Sequence, residues 1–511
     1  MLHDFRQLDS PATIEADLAI IGAGAAGITL AHALIDSGID CCLIESGGEE
    51  FDADVQSLYE TEVLGVDDGQ TCRLRYLGGS TNHWGGWCAP LNKIDFQERP
   101  WISHSGWPID KSDIEPFYVQ AQKLCRLGDY VYAVEQLTGD QRDFDVFHGR
   151  KLVPRLYQFS EPPVRFGDAY RSELERARNV RLYLNANVIR LAVDESASQV
   201  TSAVISTLDG RRGEIRARRF VLACGAIENT RLLLVSADTV TRGLGNSAGL
   251  VGRFFIQHPH VDCADLLAAV PEKFARRFKK FTFRGHPMRC SIGPSAEAQR
   301  TAGILNCSAT LHAVSDLHSG HGAARSLWAD IKRGRWPDEF AAKLWTVIAD
   351  LGSVGGEATT WTVRMRSEQS PDPASRISLS SERDRLGVRK SKVDWRLSAL
   401  DKRTVRIGAQ LIGEEVGRLN WGRVHLREWL TDDARGFPAS LWGGCHHMGT
   451  TRMADHPSRG VVDPNCRVHE VANLYIAGSS VFPTGGYANP TLSIIALTLR
   501  LAEHLKHTEK R

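Results

Sequence analysis

The chain is 511 residues long, room for roughly two to four domains of ordinary size. Its 62 basic and 61 acidic residues leave a formal net charge of +1, so no electrostatic pull toward nucleic acid is expected. With 42% hydrophobic and 24% charged residues, the composition is that of a globular protein and excludes a disordered or fibrous chain.

Eleven cysteines are dispersed, only Cys41 and Cys42 are adjacent, and no CxxC pair occurs. That usage predicts reduced thiols in a cytoplasmic protein rather than a disulfide framework. The opening MLHDFRQLDSPATIEAD has early acids and no apolar signal core. The most apolar long stretch, 16–35, contains Asp17 and three glycines. It reads as strand, turn and helix, and no transmembrane segment is expected.

The run DLAII (17–21) has the pattern of a buried parallel strand. GAGAAG follows, with Gly22, Gly24 and Gly27 in the GxGxxG spacing and Ala25 and Ala26 opening a helix to about residue 37. The first glycine serves a tight turn, the second lets backbone approach a pyrophosphate, and the third lets helix and strand pack closely. A helix N-terminus there supplies unpaired N–H groups for phosphates. A second buried strand, 40–44, ends at Glu45, placed to meet ribose hydroxyls. The motif predicts a bound dinucleotide, and the N-terminal position favours FAD over NAD.

RLRYLGGSTNHWGGWC follows (73–88), a glycine-rich loop around His83 and Trp84 that lets backbone pass close to a large flat group. Asp110 or Ser112 caps a helix to about residue 125. Runs at 181–185, 200–207 and 220–224 read as strands, with a hairpin signal at Asp209–Gly210. GAIENTRLLLVS then opens a helix at Gly225.

The stretch 261–435 is charged, aromatic and irregular, the texture of an inserted substrate or cap domain. Within it, 273–284 sets Phe274, Phe278 and Phe281 at helical spacing among basic residues. That is the pattern of a membrane-surface helix or lid, and more commonly of a helix packing an aromatic stripe on the core. Trp328, Trp336, Trp345 and Trp361 offer faces for sugar stacking or for core packing. Arg366, Glu368 and Gln369 follow a strand-like run and read as flavin-roofing or salt-bridged residues.

Near the C-terminus, GGCHHMGTTRM (443–453) holds His446 and His447 in a glycine-flanked turn. A short strand, 474–477, runs into Gly478 and SSVFPTGGYANP. Asn489 and Pro490 then begin a helix from Thr491 to about residue 506.

Taken in order, GAGAAG, GGSTNHWGG, ACGAIENTRLLL, CHHMGTTRM and AGSSVFPTGGYANPTL resemble the glucose–methanol–choline (GMC) oxidoreductases, FAD-dependent alcohol oxidases and dehydrogenases. The closest likeness is to the sugar-oxidising branch that includes pyranose oxidase and glycoside 3-oxidases. Residues 261–435 are covered loosely, by EQSPDPASR and VDWRL. The resemblance implies an α/β fold: an FAD-binding, Rossmann-like, doubly wound domain assembled from discontinuous segments, plus an α+β cap domain with an antiparallel sheet. The FAD-binding parts are then 1–260, with an excursion near 95–180, and 436–511; 261–435 is the substrate domain.

It further implies His446, in the HxxGT turn, as the base and Asn489 as its partner, with His447 the rival base. FAD contacts are implied for Gly22, Gly24, Ala25, Ala26, Gly27, Glu45, Gly79, Ser80, Asn82, His83, Val188, Gly225, Gly478, Ser479, Asn489, Pro490 and Thr491. His83 aligns with a histidine that holds flavin covalently in pyranose oxidase, so both a covalent and a non-covalent cofactor are open, the non-covalent one favoured. No metal is implied. No cysteine occurs between Cys125 and Cys224, and no CxxCH, so neither the iron–sulfur cluster of some relatives nor a haem is expected. Electrons then leave to O2, a quinone or a protein acceptor.

The activity implied is oxidation of a secondary alcohol of a pyranose or glycoside, at C3 or C2, to a ketone. The alternatives are a primary hydroxyl of an aminoglycoside, or a sterol or aryl alcohol. Outside the family, GAGAAG and Glu45 alone leave an NAD(P)-dependent dehydrogenase.

Overall fold

The computed structural model describes residues 1–65, 72–137, 151–237, 240–313 and 360–509. Its first sheet has eight strands, in the order Leu2–Asp4, Val180–Leu184, Cys41–Ile44, Ala12–Ile21, Arg212–Leu222, Val200–Ser206 and Asn187–Val193, with Leu474–Ile476 also paired to Arg212–Leu222. All pair in parallel except Val200–Ser206 and Asn187–Val193, which pair antiparallel. The parallel strands are fully buried at Leu18, Ile20, Leu43, Phe220 and Ile476, as a sheet covered on both faces requires.

Arg212–Leu222 organises this sheet. One edge pairs with Ala12–Ile21, while the other pairs first with Val200–Ser206 and then with Leu474–Ile476. Leu222 therefore stands opposite both Ile21 and Ile476. The chain leaves the sheet at one level three times, into turns at Gly22, Gly225 and Gly478. The first turn is fixed by packing: a Cβ on Gly27 would lie 1.8 Å from the Gly22 carbonyl oxygen, so only glycine lets helix Ala25–Ala33 sit this close to its strand. That helix packs against Thr491–Glu509 and Phe166–Arg176.

The second sheet is antiparallel: Gly422–Leu426, His260–Ala268, Thr360–Ser367, Cys307–Ala313, His286–Pro294, Leu152–Phe159 and Trp87–Cys88, with Phe281–Phe283 added to His286–Pro294. Side chains alternate across such a sheet. Val261, Ala309, Leu311, Val363 and Met365 join the core with Val405, Ala409 and Ile412 of helix Ala399–Arg418. The alternate residues form polar rows on the opposite face: Arg366 is flanked by His260 and Ser308, and Arg364 by Asp262 and Thr310. A third sheet joins Arg376–Arg383, Arg389–Asp394 and Thr61–Leu64.

The expected strands are present, but two begin earlier than their apolar runs. Ala12–Ile21 and Arg212–Leu222 extend into polar sequence because each ladders onto the other from Ala12 and Gly213 onward, and backbone pairing needs no apolar side chain. The 273–284 run forms helix Pro271–Phe278 and then strand Phe281–Phe283. Phe274 and Phe278 are buried, Phe274 against Trp361 and Trp421, so the aromatic stripe belongs to the core. Trp361 is core as well, while Trp328, Trp336 and Trp345 lie outside the described residues. Among the described residues, no helix is long and apolar enough to cross a membrane.

The cysteines require a correction. Cys72 and Cys445 form a disulfide across 373 residues of chain, and the other nine are free. Spacing gave no sign of it because the partners meet only in the tertiary fold. Thiol titration in denaturant is therefore expected to count nine groups before reduction and eleven after; eleven before reduction would contradict the bridge.

A buried ion pair, Arg99 with Glu368, ties the loop after helix Lys93–Phe96 to the end of strand Thr360–Ser367, held by two hydrogen bonds of 2.8 and 2.6 Å. Both side chains are almost completely excluded from solvent (1% and 0% exposed). Asp95 lies nearby, its pKa raised to about 6 by burial and by the Glu368 charge. Removing one partner of such a pair strands the other charge. Arg99→Met is expected to cost about 3–5 kcal/mol in urea unfolding at neutral pH, and a loss under about 1 kcal/mol, the worth of a surface pair, would overturn the assignment.

Candidate active site

A cavity of about 1320 Å³ runs from the three glycine turns of the first sheet to the polar face of the second. Gly22, Gly24, Ala25 and Ala26 line one end, while Gly27 stands back as the packing residue. Glu45 closes this end with its carboxylate fixed: it accepts from the Ala23 and Gly47 N–H groups at 2.9 and 3.0 Å and from Ser46 Oγ. Val188 lines the wall where its strand is bulged against Val200–Ser206.

The loop carrying Gly79, Ser80, Asn82 and His83 lies across the GAGAAG turn. The Gly78 N–H donates to the Ala23 carbonyl at 2.9 Å, and a Cβ on Gly79 would sit 3.2 Å from the Gly24 Cα. Asn82 Nδ2 donates to the Leu77 carbonyl, shaping the turn. Ser80 Oγ and His83 Nε2 both hydrogen-bond the Cys72 carbonyl, next to the disulfide.

These walls fit FAD. Gly24, Gly225 and Gly478 border the cavity, and a Cβ on any of them would meet no atom within 4 Å, so the backbone is left open where a flat or phosphate-bearing group would approach. The first turns of helices Ala25–Ala33 and Gly225–Val235 border the same space, with the unpaired N–H groups of helix N-termini. Pro490 and Thr491, at the start of the C-terminal helix, line the far end.

At that end the turn after Cys445 is pinned from both sides. Met448 exchanges backbone hydrogen bonds with Ile256, the Gly449 N–H donates to the Ser479 carbonyl, and Ser479 Oγ donates to the His447 carbonyl at 2.7 Å. This turn brings His446 onto Asn489, with Nε2 and Asn489 Nδ2 3.1 Å apart, and onto His258, with the two Nδ1 atoms 2.8 Å apart. His447 also borders the cavity, with its ring against Phe255. His260 packs edge-on to His446 and Trp442.

The protons in this chain follow from chemistry. His258 Nε2 lies 3.2 Å from the Gly485 carbonyl oxygen, which only accepts, so Nε2 carries the hydrogen. Burial lowers the His258 pKa to about 4, leaving the ring neutral and its Nδ1 a lone pair. His446 Nδ1 must then donate to it. That leaves His446 Nε2 unprotonated, accepting from the Asn489 amide. The His446 pKa is itself well below the ordinary imidazole value, through burial first and then the neighbouring His258 and Arg366. An unprotonated, fixed imidazole nitrogen is chemically able to accept a proton.

Sequence reasoning missed His258, which stands two residues before strand His260–Ala268; its only local signal is the His-Pro-His spacing at 258–260. Of the three residues after the strand-like run, Glu368 is salt-bridged and Gln369 accepts from Trp395 Nε1, while Arg366 lines the cavity.

Residues 371–498 match a family model described as GMC oxidoreductase. The chain is 24% identical to paromamine 6'-oxidase of Streptomyces fradiae, over 95% of this chain and 90% of that one. It is 25% identical to C-glycoside 3-oxidase of Microbacterium trichothecenolyticum, over 84% and 75%. Among solved structures, pyridoxine 4-oxidase from Mesorbium loti superposes with a TM-score of 0.58 at 18% identity, over 96% of this chain and 99% of that one. Residues 371–498 therefore carry the match to the GMC oxidoreductases, and the relatives that align over most of the chain are named as oxidases and dehydrogenases.

Proposed function

We propose that this protein oxidises a secondary hydroxyl of a pyranose or glycoside, at C3 or C2, to a ketone, with His446 as base. The observation that carries the reading is the fixed protonation of the histidine chain, which leaves His446 Nε2 as an acceptor beside Asn489 in the cavity. FAD, when bound, supplies the hydride acceptor. His446 Nε2 takes the hydroxyl proton, Asn489 orients the oxygen through its amide, and the resulting imidazolium keeps its Nδ1–H on His258. The proton goes no further along this chain, because His258 already donates to a carbonyl that cannot hold a proton.

Residues 1–260 and 436–511 hold the cofactor in this reading, and 261–435 form the substrate wall. Gly22, Gly24, Ala25 and Ala26 would meet the pyrophosphate, Glu45 the ribose and Val188 the adenine. Gly79, Ser80, Asn82, His83, Gly225, Gly478, Ser479, Pro490 and Thr491 would contact the rest of the FAD. We favour a non-covalent cofactor, since His83 Nε2 is engaged by the Cys72 carbonyl. The sugar assignment is supported by the relative named as a glycoside oxidase and by the polar wall facing His446. Electrons then pass to O2, a quinone or a protein acceptor.

Anaerobic mixing of the yellow holoenzyme with pyranoses and glycosides is expected to bleach the flavin, and NMR of the product to place a carbonyl at C3 or C2. His446→Ala should slow that bleaching by about 10²–10⁴-fold without loss of bound flavin, and His258→Phe should slow it less. A yellow protein that no carbohydrate bleaches would overturn the sugar assignment.

A further inference from the structure

Arg366 is an unusual feature of the substrate wall. It belongs to strand Thr360–Ser367, on the row with His260 and Ser308 that faces the cavity. Its guanidinium is stacked over Trp87 at 4.0 Å and lies 5.5 Å from the Tyr157 ring. Stacking satisfies the face of a guanidinium but not its in-plane N–H groups. The Tyr157 side chain hydrogen-bonds the guanidinium, but Arg366 Nε and Nη1 are buried without a hydrogen-bond partner.

The nearby carboxylates are already engaged. Asp262 is bound by Arg364 at 2.7 and 3.1 Å, and Glu368 by Arg99. Among the described residues of this wall, two guanidiniums therefore face one carboxylate, and the histidines beside them are held neutral by burial. Arg366 is also near the reacting end, since it stands opposite His260, whose ring lies 5.7 Å from that of His446. A half-buried cation whose inner N–H groups are buried without a partner or counter-ion is costly, and a planar oxyanion is the group that a guanidinium edge matches best.

We propose that the alcohol oxidised here carries an anionic substituent, a carboxylate or a phosphate, and that Arg366 binds it. The inference rests on the reading that this end of the cavity receives the substrate. It narrows the substrate to an acidic sugar or glycoside, of the uronate or sugar-phosphate kind. It also sets this protein apart from an oxidase of aminoglycosides, whose ammonium groups would face an uncompensated positive wall. The substituent makes its bond to Arg366 away from the reacting carbon, so the proton still goes to His446.

The test uses the full-length, FAD-loaded enzyme and a matched series: methyl β-glucopyranoside, its glucopyranosiduronate, its 6-phosphate and its 6-amino-6-deoxy analogue. One anionic member is expected to exceed the neutral parent in kcat/KM by about tenfold or more, the worth of a charged hydrogen bond, and the amine to fall below it. Which anion wins separates carboxylate from phosphate. Arg366→Gln should bring the anion-to-neutral ratio near one, and Arg366→Lys should keep part of it. Flavin content in both variants reports folding.

A second arm needs no turnover: Kd values for D-glucuronate, glucose 6-phosphate and D-glucose, read from the flavin spectrum. Tighter anion binding that disappears in Arg366→Gln supports the proposal even if no carbohydrate is oxidised, a result that would sink the sugar-oxidase reading alone. The proposal is overturned if the neutral ligand binds as well as either anion, or if Arg366→Gln weakens anionic and neutral ligands alike.

Discussion

The carbonyl oxygen of Gly485 can only accept a hydrogen bond, and the protonation of the histidine chain at the proposed reaction centre descends from that constraint. It assigns the proton of His258, His258 assigns the proton of His446, and His446 Nε2 is left unprotonated, accepting from the Asn489 amide at the cavity. Burial supports each step, because a buried imidazole is disfavoured as a cation and neutral rings must share protons in one direction. Asn489 completes the chain without titrating. The base we propose depends on few local charges and on the position of two backbone segments, the one before strand His260–Ala268 and the one before the last helix.

Both segments are positioned by the sheets. The register of Arg212–Leu222 against Ala12–Ile21 and Leu474–Ile476 sets three glycine turns side by side, and the last of them leads through Ser479 to the pinned His446 turn. The second sheet delivers His260, Arg364 and Arg366 to the opposite wall by simple alternation, with its other face packed on helix Ala399–Arg418. The Arg99–Glu368 pair and the Cys72–Cys445 bridge tie distant parts of the chain together around this space.

Much of this was legible in the sequence where local chemistry dictates local form. GAGAAG after an apolar strand, Asn489–Pro490 before a helix, and the alternating strands all correspond to elements in the structure. His446 and Asn489 were singled out from motif, and the fold brings them within hydrogen-bond distance. What escaped notice depends on long-range pairing. His258 meets His446 across 188 residues, and Cys72 meets Cys445 across 373. Arg366 could not be told from a salt-bridged residue until its neighbours' carboxylates were seen to be occupied by Arg364 and Arg99. Strand starts failed for the same reason, since a polar strand half is held by its ladder rather than by its side chains.

The measurement that bears most directly on the account is the pH dependence of flavin reduction in single turnovers with the most reactive sugar. The base must be unprotonated to act, and burial lowers its pKa. The rate is therefore predicted to stay level as pH falls through about 6.5, the ordinary imidazole value, and to decline only well below it. A rate that halves near that ordinary value would mean that His446 titrates as a free histidine, and the histidine chain would not be what prepares the base.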